Sequence, residues 1–189
     1  MNLRIITSNP GKVLEYREAL SSFGIDTEHF EMPYDEIQSA ELTEVVRDGM
    51  DRLKESGMTD FIIDDSGMFV DSLRGFPGVY SAYVHKTIGN AGVLKLMEKV
   101  SDRKANFQCC IGCNMAGHDI IVLGKCEGSI LYEERGSGGF GYDPVFSPDG
   151  KRSFAEIPIT EKNEISHRGN AVRLLVEEIK KTLAQSEKY

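Results

Sequence analysis

Short apolar runs alternate with helically spaced apolar residues through the first third of the chain. Residues 3–7 form an apolar run, and four apolar positions follow at helical intervals before Gly24: Val13, Tyr16, Leu20 and Phe23. This pattern predicts a strand, a turn and a helix. It continues with a strand near 26–32, a helix over about 43–56 and a short apolar strand at 61–63. The alternation favours an α/β layer structure.

The second half of the chain adds a hairpin and a long terminal helix. Alternating segments at 105–113 and 120–127 are separated by a turn sequence at 115–118, which predicts two antiparallel strands. Helices are predicted near 90–100 and over 167–184, where one stripe carries Ala171, Leu175, Ile179 and Leu183. We therefore expect a mixed β-sheet flanked by helices, in one domain spanning 1–189.

Composition and charge limit the classes of partner. The chain has 189 residues, 40% hydrophobic and 28% charged, which suffices for one substantial core. Asp and Glu (30) exceed Lys and Arg (22) by 8, so the surface should repel nucleic acids and anionic membranes. A small anionic ligand needs only a few basic groups in one cleft. No stretch approaches the roughly 20 apolar residues of a membrane span, and we expect a soluble, cytoplasmic protein.

The four cysteines raise the alternative of a metal or redox site. They cluster at Cys109, Cys110, Cys113 and Cys126, and the second and third form a CxxC motif. The surrounding residues alternate like a strand, where an offset of three places side chains on opposite faces. We favour small apolar strand residues over a zinc or redox site. The clustering, with no Asn-x-Ser/Thr sequence, indicates a reducing compartment.

A polar segment lies where the first strand gives way to the first helix. It consists of Thr7, Ser8, Asn9, Pro10, Gly11 and Lys12. Backbone N–H groups at such a junction can face a phosphate, and Lys12 adds a positive charge. The alternative is an ordinary capped helix start, with Ser8 or Asn9 as N-cap and Pro10 at the first helical position. The segment lacks the glycine spacing of a Walker A motif.

Acidic residues follow two predicted strands. Asp35 and Glu36 come after the second strand, and Asp64 and Asp65 come after the third. Mg²⁺ prefers oxygen ligands and is usually held by one or two carboxylates together with substrate phosphates. Ligands in α/β proteins tend to lie at strand ends, which favours a role for Asp65. The alternative is that these acids occupy solvated turns.

The glycine-rich segment 136–141 matches GxGxxG in letters only. A dinucleotide-binding fingerprint should open a helix, but Tyr142-Asp143-Pro144 follows here, and proline disfavours helical geometry in the residue before it. Two interpretations remain for Phe140. Its ring can stack on a planar base, or it can pack into the core.

Donor side chains cluster just before the terminal helix, at Lys162, His167 and Arg168, with Ser166 a candidate N-cap. Cations at a helix N-terminus oppose the macrodipole, so another interaction must stabilise them there. A purine with a 6-keto oxygen offers an acceptor that Arg or protonated His can match, whereas adenine presents an amino donor.

Together these segments resemble, in order and spacing, the inosine triphosphate pyrophosphatase (Ham-like) family of nucleotide hydrolases. The match spans nearly the whole chain. Its motifs are TSNPGK (7–12), DEIQ (35–38), DDSGMFVDSLRGFPG (64–78), GFGYDP (139–144), FAEIP (154–158) and EKNEISHR (161–168).

The resemblance implies a role for each part of the site. Segment 7–12 would hold the triphosphate, with Lys12 neutralising charge on the reacting phosphate. Glu36 and Asp65 would bind Mg²⁺, Asp65 would act as the catalytic base, and Ser66 would touch the substrate. Phe140 would stack on the base. The remaining pocket residues would be Gly141, Tyr142, Asp143, Lys162, His167 and Arg168.

The resemblance also implies an elongated mixed sheet with a cleft between two lobes, usually in a homodimer. The expected reaction hydrolyses non-canonical purine triphosphates (ITP, dITP, XTP) to the monophosphate and pyrophosphate. Ser8 and Asp64 stand where many members have glycine and glutamate. Two alternatives are a Maf-like pyrophosphatase, against which the 166–168 segment and Phe140 argue, and a nucleotide-binding sensor without turnover.

Overall fold

The computed structural model describes residues 2–32 and 36–186, with side chains described up to residue 184. Asp35 lies outside the described residues. Seven strands are present in the described part: β1 (Asn2–Ile6), β2 (Asp26–Phe30), β3 (Phe61–Val70), β4 (Pro77–Gly78), β5 (Lys104–Met115), β6 (His118–Ile130) and β7 (Phe146–Ser147). They form one sheet in the order β2-β1-β3-β5-β6-β7, with β4 paired to β3.

Six α-helices accompany the sheet in the described residues. They are α1 (Pro10–Ser21), α2 (Leu42–Glu55), α3 (Ser81–Thr87), α4 (Gly89–Leu96), α5 (Ile159–Ile165) and α6 (His167–Ser186), and short 3-10 turns lie at Asp71–Leu73 and Phe154–Glu156. No helix in the described ranges is both long and apolar enough to cross a bilayer.

The sheet is mixed, which confirms the predicted α/β class. β1 runs parallel to β2 and β3, whereas β5 is antiparallel to both β3 and β6. The predicted hairpin is β5–β6, and its two-residue turn places Ala116 (φ 48°) and Gly117 (φ 79°) in the left-handed region that such turns require.

β3 is longer than the sequence pattern predicts. The apolar run at 61–63 suggested that the strand ends at Asp64, but β3 continues to Val70 because β5 pairs with all ten of its residues. What ends near residue 62 is the parallel pairing with β1. Asp64 and Asp65 therefore lie within a strand, and their side chains point to opposite faces of the sheet.

Apolar side chains form three buried clusters around the sheet. One lies between the sheet and α1 and α6, and a second lies on the opposite face against α2. The third includes Met68 and Val70 from the far half of β3, with Val84 of α3 and Val93 of α4. The long strands β3 and β5 contribute to all three clusters and hold them in fixed relation.

The four cysteines are buried free thiols, as the apolar interpretation predicted. Cys113 belongs to the cluster beneath α1 and α6, and Cys110 belongs to the cluster beneath α2. The two CxxC sulfurs thus face opposite sides of the sheet.

Two helical stripes are shorter than predicted. Phe23 lies beyond the end of α1 and is 42% exposed, and Leu183 near the end of α6 is 44% exposed. Two seven-residue helices, α3 and α5, were not predicted, because segments so short show too little periodicity.

Candidate active site

The start of α1 is a capped helix terminus. Asn9 Oδ1 accepts hydrogen bonds from Gly11 N (2.9 Å) and Lys12 N (3.4 Å), and Pro10 occupies the first helical position. Thr7 Oγ1 accepts from Asn9 N (3.2 Å) and braces the turn. The backbone N–H groups of Asn9, Gly11 and Lys12 are therefore used within the turn. The positive charge that this segment offers an anion comes from Lys12.

Asp64 is a buried anionic centre beside this turn. Its Oδ2 atom lies 3.1 Å from Lys12 Nζ and accepts hydrogen bonds from Arg168 Nη2 (3.0 Å), Ser66 Oγ (2.9 Å) and Cys109 Sγ (3.5 Å). Burial alone would raise the pKa of Asp64, but Lys12 and Arg168 hold it well below its ordinary value. Asp64 thus stays ionised and fixes two cations side by side.

Glu15 of α1 performs a similar role for Arg168 and for a third cation, Lys162. Its carboxylate accepts from Lys162 Nζ at 2.7 Å and from Arg168 Nη1, and Lys162 Nζ also donates to Asp143 Oδ2 at 2.7 Å. Burial alone would raise the pKa of Glu15, but Arg168 and Lys162 keep it lowered. With Asp64 and Lys12 included, the cluster has three acidic and three basic side chains, so the numbers of the two kinds are equal. They are Glu15, Asp64 and Asp143 with Lys12, Lys162 and Arg168. The balance explains how Arg168 can be buried at a helix N-terminus.

Asp65 occupies a different environment from Asp64. Burial raises the pKa of Asp65 to about 6; Asp64 and Glu36 add to the rise, while Lys12 and the backbone N–H of Ser66 oppose it. Glu36 is exposed and lines the same hollow, of about 390 Å³, as Asp65. Among the residues described, no group of three or more His, Cys, Asp or Glu is arranged to hold a metal. Two adjacent carboxylates are a donor set that suits Mg²⁺ shared with phosphates.

Phe140 lies in the cleft and belongs to none of the three apolar clusters. Its ring packs so closely over Gly11 that a methyl group there would overlap it, and Lys162 Nζ lies 5.3 Å from the ring centroid. Phe140 N donates to Asp143 Oδ2 at 2.8 Å. Tyr142 donates its hydroxyl to Ser81 O at 2.9 Å. This loop therefore presents one face of an aromatic ring beside a buried cation.

His167 is buried in surroundings that disfavour its protonated form, so Arg168 is the better match for the cationic donor considered from the sequence. Its ring stacks on Phe107 at a centroid distance of 4.6 Å. Burial, Arg168 and Lys162 together hold the pKa of His167 well below its ordinary value. Its Nδ1 and the Nε of Arg168 are buried without hydrogen-bond partners in the described structure. Ser166 precedes them as the predicted cap, since its Oγ accepts from Gly169 N at 3.1 Å.

A cleft of about 330 Å³ brings most predicted site residues together. Those that line it are Asn9, Lys12, Asp65, Ser66, Phe140, Gly141, Tyr142, Asp143, Lys162, His167 and Arg168. Gly11 lines an adjoining hollow of about 460 Å³ that shares Phe140 and Lys162 with the cleft. Thr7, Ser8 and Pro10 line neither of these two hollows.

Two acids of the buried ion-pair cluster, Glu15 and Asp64, have structural roles that the sequence did not predict. A signal existed for Glu15, because it lies three residues after Lys12 and four before the buried Ala19, and so on the inward face of α1. His85, which packs its ring edge-to-face with Tyr142 at 5.1 Å, was also missed and lines the cleft.

Replacing His167 by glutamine should flatten the pH dependence of stability. An unfolded His takes a proton near pH 6.5, whereas folded His167 does not until well below that value. The wild type should therefore lose up to about 1.4 kcal/mol of unfolding free energy per pH unit below about pH 6 relative to the variant. Urea unfolding of both proteins between pH 7.5 and 5 measures the difference. The contributions of the other titrating groups cancel, because both proteins contain them.

His118→Gln is the matched control for this pH series, because His118 is exposed at the start of β6. Its unfolding curves should run parallel to those of the wild type. Parallel curves for the His167→Gln variant would show that His167 titrates normally in the folded state.

The fold and the cleft define a ligand-binding α/β protein whose site suits an anionic molecule with a flat ring. The sequence comparisons are specific: residues 3–178 match the Ham1 family. The chain is 47% identical over 184 residues to a dITP/XTP pyrophosphatase of Pyrococcus horikoshii, covering 97% of this chain and 99% of the relative. A dITP/XTP pyrophosphatase of Thermococcus kodakarensis is also 47% identical, with 97% and 100% covered.

Solved structures agree with the sequence comparisons. A HAM1 protein from Coxiella burnetii superposes with a TM-score of 0.79 and 30% identity, covering 96% of this chain and 99% of that one. A nucleoside-triphosphatase (dITP/XTP pyrophosphatase) from Mycobacterium abscessus gives a TM-score of 0.68 at 30% identity, with 93% and 98% covered. The chain belongs to the Ham1 family.

Proposed function

We propose that this protein hydrolyses non-canonical purine nucleoside triphosphates, such as those of inosine, deoxyinosine and xanthosine, to the monophosphate and pyrophosphate. The observation that carries the proposal is the single cleft that brings Asp65 and Lys12 together with Phe140, His167 and Arg168. The chain's relatives named dITP/XTP pyrophosphatase support the same reaction.

Asp65 and Glu36 are the residues we propose to hold Mg²⁺. They line one hollow, and the charge of Glu36 contributes to the raised pKa of Asp65. A bound Mg²⁺ would neutralise phosphate charge and orient the reacting groups.

Asp65 is also the group we propose to orient the attacking water and accept its proton. A carboxyl group with a pKa of about 6 is largely ionised at neutral pH yet remains close to titration, which suits a general base. Lys12, held by Asp64 Oδ2 and by the Asp64 backbone oxygen at 3.1 Å, would neutralise charge that develops on the phosphate. Ser66 would contact the substrate beside them.

Base selection is proposed for a second group of residues in the same cleft. Phe140 supplies a ring face for stacking, and Gly141, Tyr142, Asp143 and Lys162 complete that group. Leaving a buried polar atom without a partner costs about 1–3 kcal/mol. The Nδ1 atom of His167 and the Nε atom of Arg168 have no partner among the described residues, and a base with a keto oxygen would supply a hydrogen-bond partner to them. Neutral imidazole can still donate through one ring nitrogen, so recognition does not need protonated His167.

A turnover panel tests this function. Inosine, deoxyinosine, xanthosine, guanosine, adenosine and pyrimidine triphosphates are compared with and without Mg²⁺, resolving pyrophosphate from orthophosphate. We expect pyrophosphate as first product and kcat/KM for inosine or xanthosine about 10²-fold or more above that for adenosine. Orthophosphate as first product would overturn the reaction, and tight binding without turnover would support a sensor.

The assembly and compartment are also proposals. We infer a homodimer from the family resemblance, which sedimentation velocity would test. Four free buried thiols fit a reducing compartment such as the cytoplasm.

A further inference from the structure

Asn90 connects the Phe140 loop to helix α4. Its Nδ2 donates to Gly141 O and to Glu134 Oε2, both at 3.2 Å. Both acceptors belong to the segment that leads from β6 through Phe140 to β7. Asn90 is therefore the side chain through which α4 contacts the backbone next to the stacking ring.

The amide of Asn90 is oriented for donation. Its Oδ1 is buried and has no hydrogen-bond partner in the described ranges. The opposite orientation would place Oδ1 against two acceptor oxygens and would lose both hydrogen bonds. An aspartate or alanine at this position could not make the contact with Gly141 O.

Helix α4, which carries Asn90, is fixed to the core, and the loop that Asn90 contacts has a glycine on each side of Phe140. Val93 and Met97 are fully buried, and Arg103 donates to Met97 O at 2.9 Å, so α4 is fixed to the core. Gly139 (φ 68°) and Gly141 (φ 63°) flank Phe140 with left-handed backbones that glycine adopts at little cost. The position of the Phe140 ring thus depends on the hydrogen bonds that hold its loop.

We propose that Asn90 is a positioning residue for base recognition, which acts by holding Gly141 and, through it, the ring of Phe140. The inference rests on the proposed function of Phe140 as the base-stacking residue. The hydrogen bonds of Asn90 go to Gly141 and Glu134 and not to Lys12 or Asp65, so its effect should fall on the base and spare the phosphates.

Calorimetric binding to Asn90→Ala tests this role. With Mg²⁺ present, the Kd for inosine monophosphate should rise about fivefold, the effect of losing one hydrogen bond, while the Kd for pyrophosphate stays at the wild-type value. In turnover, KM should rise and kcat should stay constant. Asn114→Ala is the matched control, because Asn114 bonds Asp119 at 2.7 Å near the β5–β6 turn. Equal changes for both ligands, or none, would overturn the proposal.

Glu134→Ala separates the two hydrogen bonds of Asn90. This variant removes one acceptor and leaves Gly141 O in place, so we expect wild-type affinity for inosine monophosphate. If it reproduces the Asn90→Ala result instead, the anchor is Glu134 and the assignment to Gly141 is wrong.

A fluorescent reporter tests the loop without any substrate. The chain contains no Trp, so Phe140→Trp introduces a single one at the ring position. Adding Asn90→Ala should raise its acrylamide quenching constant, because the loop is released, and unchanged quenching would overturn the proposal. If the wild type released no pyrophosphate, the proposed function would be wrong. The quenching experiment would still test whether Asn90 holds the loop, because it uses no substrate.

Discussion

Replacing Asp65 by asparagine should lower kcat by about 10³-fold, the contribution expected of a general base. Asparagine keeps the size of the side chain and one oxygen for a metal, but it cannot accept the proton of the attacking water. The Kd for a purine nucleotide should stay close to that of the wild type, because Phe140, His167 and Arg168 are untouched. Pyrophosphate release and calorimetry measure the two quantities.

The matched control is Asp71→Asn, at the exposed position just beyond the end of β3. It should turn over substrate as the wild type does. Near-normal turnover by the Asp65→Asn variant would remove Asp65 from the mechanism and leave Lys12 as the remaining candidate for catalysis.

Replacing Glu15 by alanine should destabilise the protein by about 3–5 kcal/mol, because the buried Lys162 and Arg168 would lose a compensating charge. For a chain of this length the melting temperature should fall by roughly 6–20 °C. Calorimetric melting and urea unfolding measure the loss of stability. We expect no compensation by packing, because apolar contacts cannot replace the missing charge.

Glu18→Ala is the control for Glu15, because Glu18 is exposed on the same helix. Its effect should stay within about 0.5 kcal/mol. If both substitutions lower the free energy of unfolding by the same amount, the ion pairs of Glu15 only offset the cost of desolvating their charges.

Local sequence predicts the elements whose signals are themselves local. The Asn9-Pro10 start of α1 and the Ala116-Gly117 turn are examples, because each is determined by neighbouring residues. The apolar runs of the sheet and the stripe of α6 were predicted for the same reason. The resemblance to Ham-like proteins supplied a set of residues, most of which line one cleft in the structure.

What could not be predicted depends on contacts between distant parts of the chain. Glu15 meets Lys162 and Arg168 across 147 and 153 positions, so nothing near Glu15 identifies it as their partner. The continuation of β3 through Asp64 depends on pairing with β5, and a DDSG sequence alone is typical of a turn. The neutral state of His167 likewise follows from burial next to two cations.

The continuous pairing of β3 with β5 makes the site sensitive to chain length. Successive residues on a strand face opposite sides, so a shift of one position would move Asp64 and Asp65 each to the opposite face of the sheet. The acid that neutralises Lys12 and Arg168 would then face α2, and the acid beside Glu36 would be buried under α1. Single residues along these strands can be replaced without moving their neighbours, but an insertion or deletion that shifts the register of Asp64 and Asp65 would remove both the structural carboxylate and the reactive one from their places.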